Sequence, residues 1–274
     1  MKERDYLESM ESHEAKAQFY RWFGVWERPA MGFAQIESAL SQDFVFTASN
    51  GDTLDKAGME VALSERNMGE LRSHRVARVS VTETSETEVT LTARVLFQLL
   101  DIEDRLTSGM RHYEVKLECK GKASLPLMKS VTVTKSEPVD SEIFEDTFPD
   151  NRSQSCFYYW LSMVENPDLR KAKIADLLDD GFLINTLGGE RIRSIPEAMD
   201  WLNKRDYRQV AVFPLSTRLR QVDAKYYGIS SDYDFRGMKS DGQEKAEYLH
   251  CDWVLLDSGE DFTKLKELHF SKLR

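Results

Sequence analysis

The side chains best suited to acid–base or metal chemistry are five histidines, and their spacing forms no metal-binding motif. His13, His74, His112, His250 and His269 contain neither the H-x-H nor the H-E-x-x-H arrangement of zinc sites. We therefore predict no metal and no cofactor. His112 and His250 lie 138 residues apart (250 − 112 = 138). We predict that this pair has a structural role in a network of strands. The alternative is that the two histidines share a metal ion or act as a proton shuttle.

The remaining composition narrows the class of protein. Cys119, Cys156 and Cys251 are an odd set without a C-x-x-C pair, which predicts small buried thiols and a reducing, cytoplasmic location. The net charge of −10 argues against nucleic acid or an anionic membrane as the main partner. The first ten residues resemble no secretory signal, and no run approaches the roughly 18 apolar residues of a membrane helix.

An internal repeat positions all of these residues. Nine residues of the stretch from Phe19 to Leu63 recur at one offset (157 − 19 = 138) in the stretch from Phe157 to Trp201. Since one period covers half the chain, each copy is a whole domain. The first set is Phe19, Tyr20, Trp22, Pro29, Ala34, Ile36, Leu40, Phe44 and Gly51; the second is Phe157, Tyr158, Trp160, Pro167, Ala172, Ile174, Leu178, Phe182 and Gly189.

Each copy begins with helical patterns. Phe19, Trp22, Phe23 and Trp26 form one face of a helix from about Ser12 to Trp26, and Phe157, Trp160, Leu161 and Val164 repeat that face. Pro29 and Pro167 end these helices or start the next ones. A second short helix is predicted to carry Phe33, Ile36 and Leu40, with Ile174, Leu177 and Leu178 in copy two. The strands Phe44–Thr47 and Phe182–Asn185 follow, and the pattern Ser194, Pro196, Glu197 predicts a capped third helix.

The rest of each copy alternates like strands. The run from His74 to Val79 matches Thr217 to Val222 at an offset of 143 (217 − 74 = 143), which implies five extra residues near Asn203–Pro214, including Tyr207. This insertion is expected to shape a pocket mouth. Tyr113, Val115 and Leu117 share one face, as do Cys251, Trp253 and Leu255, so Glu114 and Asp252 point the other way.

These patterns predict an α+β chain with two tandem cone-shaped barrels, each with three N-terminal helices packed on a curved antiparallel sheet. The predicted first domain is 1–136 and the second is 151–274. Residues 137–150 form an acidic linker with six acidic and no basic residues.

The order of helices, short strand, glycine turn, third helix and long strands beginning at Ser73-His74-Arg75-Val76 resembles the nuclear transport factor two-like superfamily and its SnoaL-like group. The resemblance implies a cone around an apolar pocket. It also implies an internal pseudo-dimer of the two copies, and it leaves a further homodimer open. Members include ketosteroid isomerase, scytalone dehydratase, polyketide cyclases and docking proteins without catalytic activity.

The residues of the isomerase mechanism are missing from the matching positions. Alignment of the glycine turns puts Ala48 and Thr186 where that enzyme has its aspartate base, and neither side chain abstracts a proton from carbon. Its oxyanion tyrosine falls near Trp22 and Trp160. Its protonated acid falls near Tyr113 and Cys251, or one residue later. His74 resembles a histidine that recurs in SnoaL-like proteins, with Thr217 as its predicted counterpart.

The sequence therefore predicts a protein that binds a hydrophobic small molecule. The alternatives are a cyclase, dehydratase or isomerase that uses His74 or Asn185 as an unrecognised acid or base, and a docking module whose pockets its own side chains fill. The predicted ligand-binding residues are Trp22, Phe46, His74, Phe97, Trp160, Asn185, Tyr227 and Tyr233. Tyr226, which precedes Tyr227, is a further aromatic side chain that could line the pocket.

Overall fold

The computed structural model describes residues 3–28, 30–66, 68–85, 87–204 and 207–273. This part of the chain forms two compact units. The first comprises Glu14–Gly121 and Leu125–Ser155; the second comprises the chain up to His13, Lys122–Ser124 and the chain from Cys156 onward. The acidic segment 137–150 thus lies within the first unit. The domain boundaries drawn from the sequence stay a prediction.

The first unit packs three helices on a six-stranded sheet. Its helices are the second half of α1 (Glu3–Glu27), α2 (Ala34–Glu37) and α3 (Lys56–Ser64). Its strands are β1 (Leu40–Thr47), β2 (Thr53–Leu54), β3 (Leu71–Thr84), β4 (Glu88–Leu100), β5 (Leu106–Glu118) and β6 (Leu127–Pro138). Their order in the sheet is β2-β1-β6-β5-β4-β3. The sheet is mixed, because β1 runs parallel to β6 while the other pairs are antiparallel.

The second unit repeats this layout. It contains the second half of α4 (Phe148–Glu165), α5 (Pro167–Leu177) and α6 (Ile195–Asn203). Its strands are β7 (Leu178–Asn185), β8 (Arg191–Ile192), β9 (Tyr207–Val222), β10 (Tyr226–Lys239), β11 (Glu244–Leu256) and β12 (Lys264–Lys272). The order β8-β7-β12-β11-β10-β9, with β7 parallel to β12, matches the first sheet. The predicted duplication and the α+β class are therefore confirmed.

Local sequence accounts for where the shorter helices begin. The Asp55 side chain accepts a hydrogen bond from Gly58 N at 2.8 Å at the start of α3. Ser194 and Glu197 form the predicted capping box of α6. Asn166 caps α5, with Pro167 in its first turn; Pro29 lies outside the described residues. Gly51 (φ 90°) and Gly189 (φ 81°) adopt left-handed conformations in the turns that follow β1 and β7.

The aromatic stripe of the first helix packs into the core. Phe19, Trp22 and Phe23 are at most 1% exposed. On β5, Tyr113, Val115 and Leu117 are buried, and Cys251, Trp253 and Leu255 are buried on β11. The predicted alternation of faces is thus confirmed for both strands.

Some predicted helix and strand boundaries are wrong. α1 begins at Glu3, well before Ser12, because Tyr6 and His13 in its first turns are buried as well. Leu40 and Leu178 begin strands rather than continuing a helix, since both pair with a neighbouring strand, with Met128 and Leu265 respectively.

The predicted offset of 143 for the third strand is also wrong. His74 pairs with Phe97 on β4, and Val212 pairs with Phe235 on β10, so the offset stays at 138 (212 − 74; 235 − 97). Val212, not Thr217, is the counterpart of His74, and no five-residue insertion precedes it. Side chains alternate between the two faces of a strand, so a shift by an odd number of residues, such as five, would exchange the faces. Val212 is buried like His74, which agrees with the offset of 138.

Candidate functional site

A buried carboxylate at the end of α1 organises the polar interior of the first unit. Glu27 Oε1 accepts hydrogen bonds from His74 N (2.8 Å), Thr147 Oγ1 (2.8 Å) and Asn151 Nδ2 (2.9 Å). Glu27 is 1% exposed. We call this group the first carboxylate cradle. Because a buried charge needs several hydrogen-bond donors, the cradle fixes α1, β3 and the start of α4 against one another.

The second unit contains an equivalent group. Glu165 Oε1 accepts from Ser9 Oγ at 2.9 Å and from Val212 N at 2.6 Å, and Glu165 Oε2 lies 2.9 Å from His13 Nδ1. The His13 ring also stacks on Tyr158 at a centroid distance of 5.7 Å. We call this group the second carboxylate cradle.

The two cradles correspond residue by residue. Ser9 and Thr147, His13 and Asn151, Glu27 and Glu165, and His74 and Val212 are each 138 residues apart (147 − 9; 151 − 13; 165 − 27; 212 − 74). Of these residues, only His74 is among the predicted ligand-binding residues, and the two glutamates with their other partners were missed. The sequence does contain a signal for them, because the offset of 138 continues upstream of Phe19. There Ser9 aligns with Thr147 and His13 aligns with Asn151.

The interior of the first unit is polar at one end. The His74 ring stacks on Phe23 at 4.8 Å and lies 5.3 Å from Phe97, and the Arg111 guanidinium lies 3.5 Å over the Phe97 ring. His74 Nδ1 is 3.4 Å from Glu27 Oε1. Burial lowers the pKa of His74, and although Glu27 opposes this effect the imidazole is held in its neutral form.

The corresponding interior of the second unit is apolar. Val212, Phe235 and Leu249 occupy the positions of His74, Phe97 and Arg111 (212 − 74 = 138; 235 − 97 = 138; 249 − 111 = 138). They border a cavity of about 10 Å³, roughly the space of one water molecule. The whole lining is Trp160, Leu161, Val164, Trp201, Val212, Tyr233, Phe235, Leu249 and Phe270.

A larger cleft of about 220 Å³ shares four residues with this cavity: Trp201, Phe235, Leu249 and Phe270. Its remaining lining is Thr186, Leu187, Gly188, Glu190, Tyr207, Lys245 and Glu247. We call the cavity and this cleft together the aromatic cleft. Tyr207 also lines a neighbouring cleft of about 200 Å³. A Cβ atom on Gly237 would lie 2.6 Å from Cδ1 of Tyr207, so glycine is what allows the ring to pack there.

The structure separates the predicted ligand-binding residues. Trp160 and Tyr233 line the aromatic cleft, whereas Trp22 and Phe46 pack together in the first unit at 5.7 Å. His74 and Phe97 meet beside Glu27. Asn185 Nδ2 contacts His269 Nδ1 at 2.7 Å, and Tyr227 donates to Asp257 Oδ2 at 2.7 Å. Neither residue belongs to the lining of the aromatic cleft. Trp201 and Phe270 were missed, although Trp201 stands where the first copy has Leu63 (201 − 138 = 63).

The positions aligned with the isomerase base take part in turns. Ala48 N donates to Asp52 O at 2.8 Å, and Thr186 Oγ1 accepts from Glu190 N at 3.2 Å. Among the described residues, no three His, Cys, Asp or Glu side chains are placed to hold a metal ion. Within the same part of the chain, no helix is both long and apolar enough to cross a bilayer.

Several solved structures resemble one half of this chain. A nuclear transport factor 2-like superfamily protein from Salmonella enterica is 11% identical, with a TM-score of 0.42 over 47% of this chain and 94% of its own. A hexachlorocyclohexane dehydrochlorinase from Novosphingobium barchaimii is 15% identical, with a TM-score of 0.40 over 46% and 86%. A protein with a cystatin-like fold from Caulobacter vibrioides is 8% identical, with a TM-score of 0.39 over 46% and 90%.

No family model and no curated protein matches the chain. Each of these structures covers about half of the chain. They concern the fold, and at these identities they carry nothing about activity.

Proposed function

We propose that the second unit binds a small, mainly apolar ligand in the aromatic cleft. The observation that carries the proposal is that the cleft and the small cavity share Trp201, Phe235, Leu249 and Phe270, which joins an apolar end to a wider opening. Ligand sites are concave and mostly apolar, with a few polar groups that orient the ligand. With a volume of about 220 Å³, the cleft is below the usual range for drug-sized ligands and suits a compound of one or two rings.

The polar groups of the cleft lie among its other lining residues. Lys245 Nζ contacts Glu247 Oε1 at 2.6 Å, and this hydrogen bond raises the pKa of Lys245 and keeps it charged. Glu190 and Thr186 add oxygen atoms. A ligand with one polar substituent satisfies such a site by placing its ring among the aromatic side chains and its substituent near Lys245.

The direct test is native mass spectrometry of gently purified protein, compared with the mass after denaturation. We expect a bound mass of a few hundred daltons that is lost on denaturation. Phe235→Ala should lose the adduct, while its counterpart Phe97→Ala in the first unit should keep it, with circular dichroism confirming that both variants fold. Absence of any adduct, or its equal loss in both variants, contradicts the proposal and favours the docking hypothesis.

Gly237→Ala tests the role of Tyr207. The added methyl group overlaps the Tyr207 ring, so the ring must leave its place in the cleft. We expect at least tenfold weaker binding of indole, used as an apolar probe, in a titration followed by calorimetry. Gly32→Ala is the control because its nearest neighbour would lie at an ordinary 3.7 Å. Unchanged indole affinity in Gly237→Ala would exclude a role for this ring.

Proton transfer by His74 is the second candidate function. A neutral, buried imidazole 3.4 Å from a carboxylate is the arrangement of a general base, and it favours this candidate. None of the clefts described above includes His74 in its lining, which is why ligand binding in the second unit comes first. A ligand that Phe235→Ala protein retains lies outside the aromatic cleft, and incubation of that ligand with wild-type and His74→Gln protein tests the candidate. Conversion by the wild type alone supports it, and no conversion by either contradicts it.

A further inference from the structure

The outer face of the first sheet carries a row of basic residues across four strands. The register places Arg78 opposite Arg94, Arg94 opposite His112, and His112 opposite Lys135. Residues directly opposite each other on neighbouring strands point to the same face, with Cβ atoms about 5 Å apart. Like charges in this position repel one another, so the row is unfavourable unless an anion neutralises it.

The two arginines are not neutralised within the described part of the chain. Both are exposed, and neither forms an ion pair with a described residue. Lys135 differs, because it pairs with Glu137 at 2.6 Å. His112 Nε2 lies 3.6 Å from the same carboxylate, beyond hydrogen-bonding distance.

Arg78, Arg94 and His112 line a groove of about 360 Å³, which we call the basic groove. Its lining is Arg78, Ser80, Thr82, Thr92, Ala93, Arg94, His112, Tyr113, Glu114 and Thr134. Glu114 is the one carboxylate among them, so two guanidinium groups face one acidic side chain. Ser80 and Thr92, which pair with each other across β3 and β4, add two hydroxyl donors.

The second unit shows how the same row is neutralised internally. Ser216, Asp232 and His250 occupy the positions of Arg78, Arg94 and His112 (216 − 78 = 138; 232 − 94 = 138; 250 − 112 = 138). Asp232 accepts from Ser216 Oγ at 2.7 Å and lies 2.6 Å from His250 Nδ1. These hydrogen bonds from His250 and Ser216 lower the pKa of Asp232. One sheet therefore satisfies its own polar row, while the other leaves two cations open in a chain of net charge −10.

We propose that the basic groove binds a phosphate-bearing small molecule through Arg78 and Arg94. The guanidinium fork matches the oxygen geometry of phosphate, and two forks side by side bind two phosphate groups or one phosphate from two sides. Ser80 and Thr92 donate to the remaining oxygens, and the imidazole of His112 extends the row. This site lies on the opposite face of the sheet from the core and is independent of the aromatic cleft.

Isothermal titration calorimetry with inorganic pyrophosphate at constant ionic strength tests the proposal. We expect saturable binding to the full chain and at least tenfold weaker binding to Arg78→Gln/Arg94→Gln. The control is Arg191→Gln/Arg218→Gln, which removes two exposed arginines of the second unit and changes the net charge equally. We expect the affinity of this control to stay within twofold of the wild type, because its groove is intact. Its overall charge equals that of the groove variant, so a difference between the two variants reports on the groove.

Thermal unfolding provides a second readout that a merely structural role would not produce. Without ligand, Arg78→Gln/Arg94→Gln should melt at or above the wild-type temperature, because the substitutions relieve repulsion between like charges. Pyrophosphate should raise the melting temperature of the wild type and leave that of the double variant unchanged. A double variant that melts lower and responds to pyrophosphate as the wild type does overturns the proposal.

Other outcomes identify a different source of the anion. Equal loss of affinity in both double variants means that overall charge, not the groove, attracts pyrophosphate, and it overturns the proposal. Binding to vesicles that contain phosphatidic acid, without binding to pyrophosphate or glycerol phosphate, overturns it in favour of a membrane surface. Binding of an oligoglutamate peptide without pyrophosphate overturns it in favour of an acidic protein partner.

Discussion

The two units keep one polar group and differ in what surrounds it. Both carboxylate cradles hold a buried glutamate with donors from a strand and from the start of a long helix. Beside the cradle, the first unit has His74 and Arg111 stacked on aromatic rings, whereas the second has Val212 and Leu249 beside the aromatic cleft. Because both copies retain the cradle while the neighbouring interior differs, we expect the cradle to stabilise the fold and the interior beside it to tolerate substitution.

A similar contrast concerns the ends of the long helices. In the first unit the buried Arg66 guanidinium donates to Val25 O, and also to Arg28 O at 2.9 Å and Met31 O at 3.2 Å. In the second, Arg170 donates to Met163 O and Val164 O at 3.2 and 3.3 Å. Arg66 follows α3 and Arg170 lies in α5, so the two arginines are not counterparts in the repeat. The last carbonyls of a helix need donors, and the two copies supply them from different places.

The largest expected effect is removal of either cradle glutamate. Glu27→Ala and Glu165→Ala each remove three buried hydrogen bonds to the carboxylate, and we expect a loss of about 3–5 kcal/mol in the free energy of unfolding. Urea denaturation followed by circular dichroism measures this loss. The exposed Glu60→Ala is the control and should change stability by less than about 0.5 kcal/mol. If one cradle variant behaves like the control, the cradles are not equivalent and the comparison fails.

A smaller effect should distinguish the two interiors through pH. Because the pKa of His74 lies below its ordinary value of 6.5 in the folded chain, the unfolded chain binds more protons just below that pH. The contribution of the neutral His74 side chain to the free energy of unfolding is therefore complete above about pH 6.5. It is lost as the pH falls, by at most about 1.4 kcal/mol per pH unit.

Urea titrations at a series of pH values check this slope. His74→Gln should remove it, while His269→Gln, at a half-exposed strand position, should retain it. A wild-type stability that rises as the pH falls through this window would contradict a neutral, buried His74.

The smallest expected effect concerns the helix caps, where the two units should respond alike. Asp55 caps α3 and Ser194 caps α6, and the two caps lie 139 residues apart (194 − 55 = 139), one more than the repeat offset. We expect Asp55→Ala and Ser194→Ala each to lower the free energy of unfolding by about 1 kcal/mol. Thermal unfolding of both variants measures this difference. A change in only one of them would show that the capping box of α6, in which Ser194 N also donates to the Glu197 carboxylate, is not matched by the single bond of α3.

The duplication, the α+β class and the alternation of the long strands could be predicted from the amino-acid sequence. These features follow from local pattern: the ring spacing of the first helix, the glycine turns at Gly51 and Gly189, and the capping box at Ser194. The helix stripe, the turns and the cap depend on residues close together in the chain, and the duplication is one constant offset between two stretches, so all of them are visible without the fold. The third strand is the exception, because an alternating strand also matches its copy at a wrong offset, and only pairing with β10 placed Val212 opposite Phe235.

Most contacts of the candidate sites depend on the tertiary structure. Glu27 meets Asn151 from 124 residues away, and Glu165 meets Ser9 from 156 residues away. Local sequence periodicity does not reveal such contacts. A carboxylate can be buried only where hydrogen-bond donors from distant parts of the chain reach it. The basic groove is likewise a product of strand register: Arg78, Arg94 and His112 are separated along the chain, and only hydrogen bonding between neighbouring strands sets them side by side.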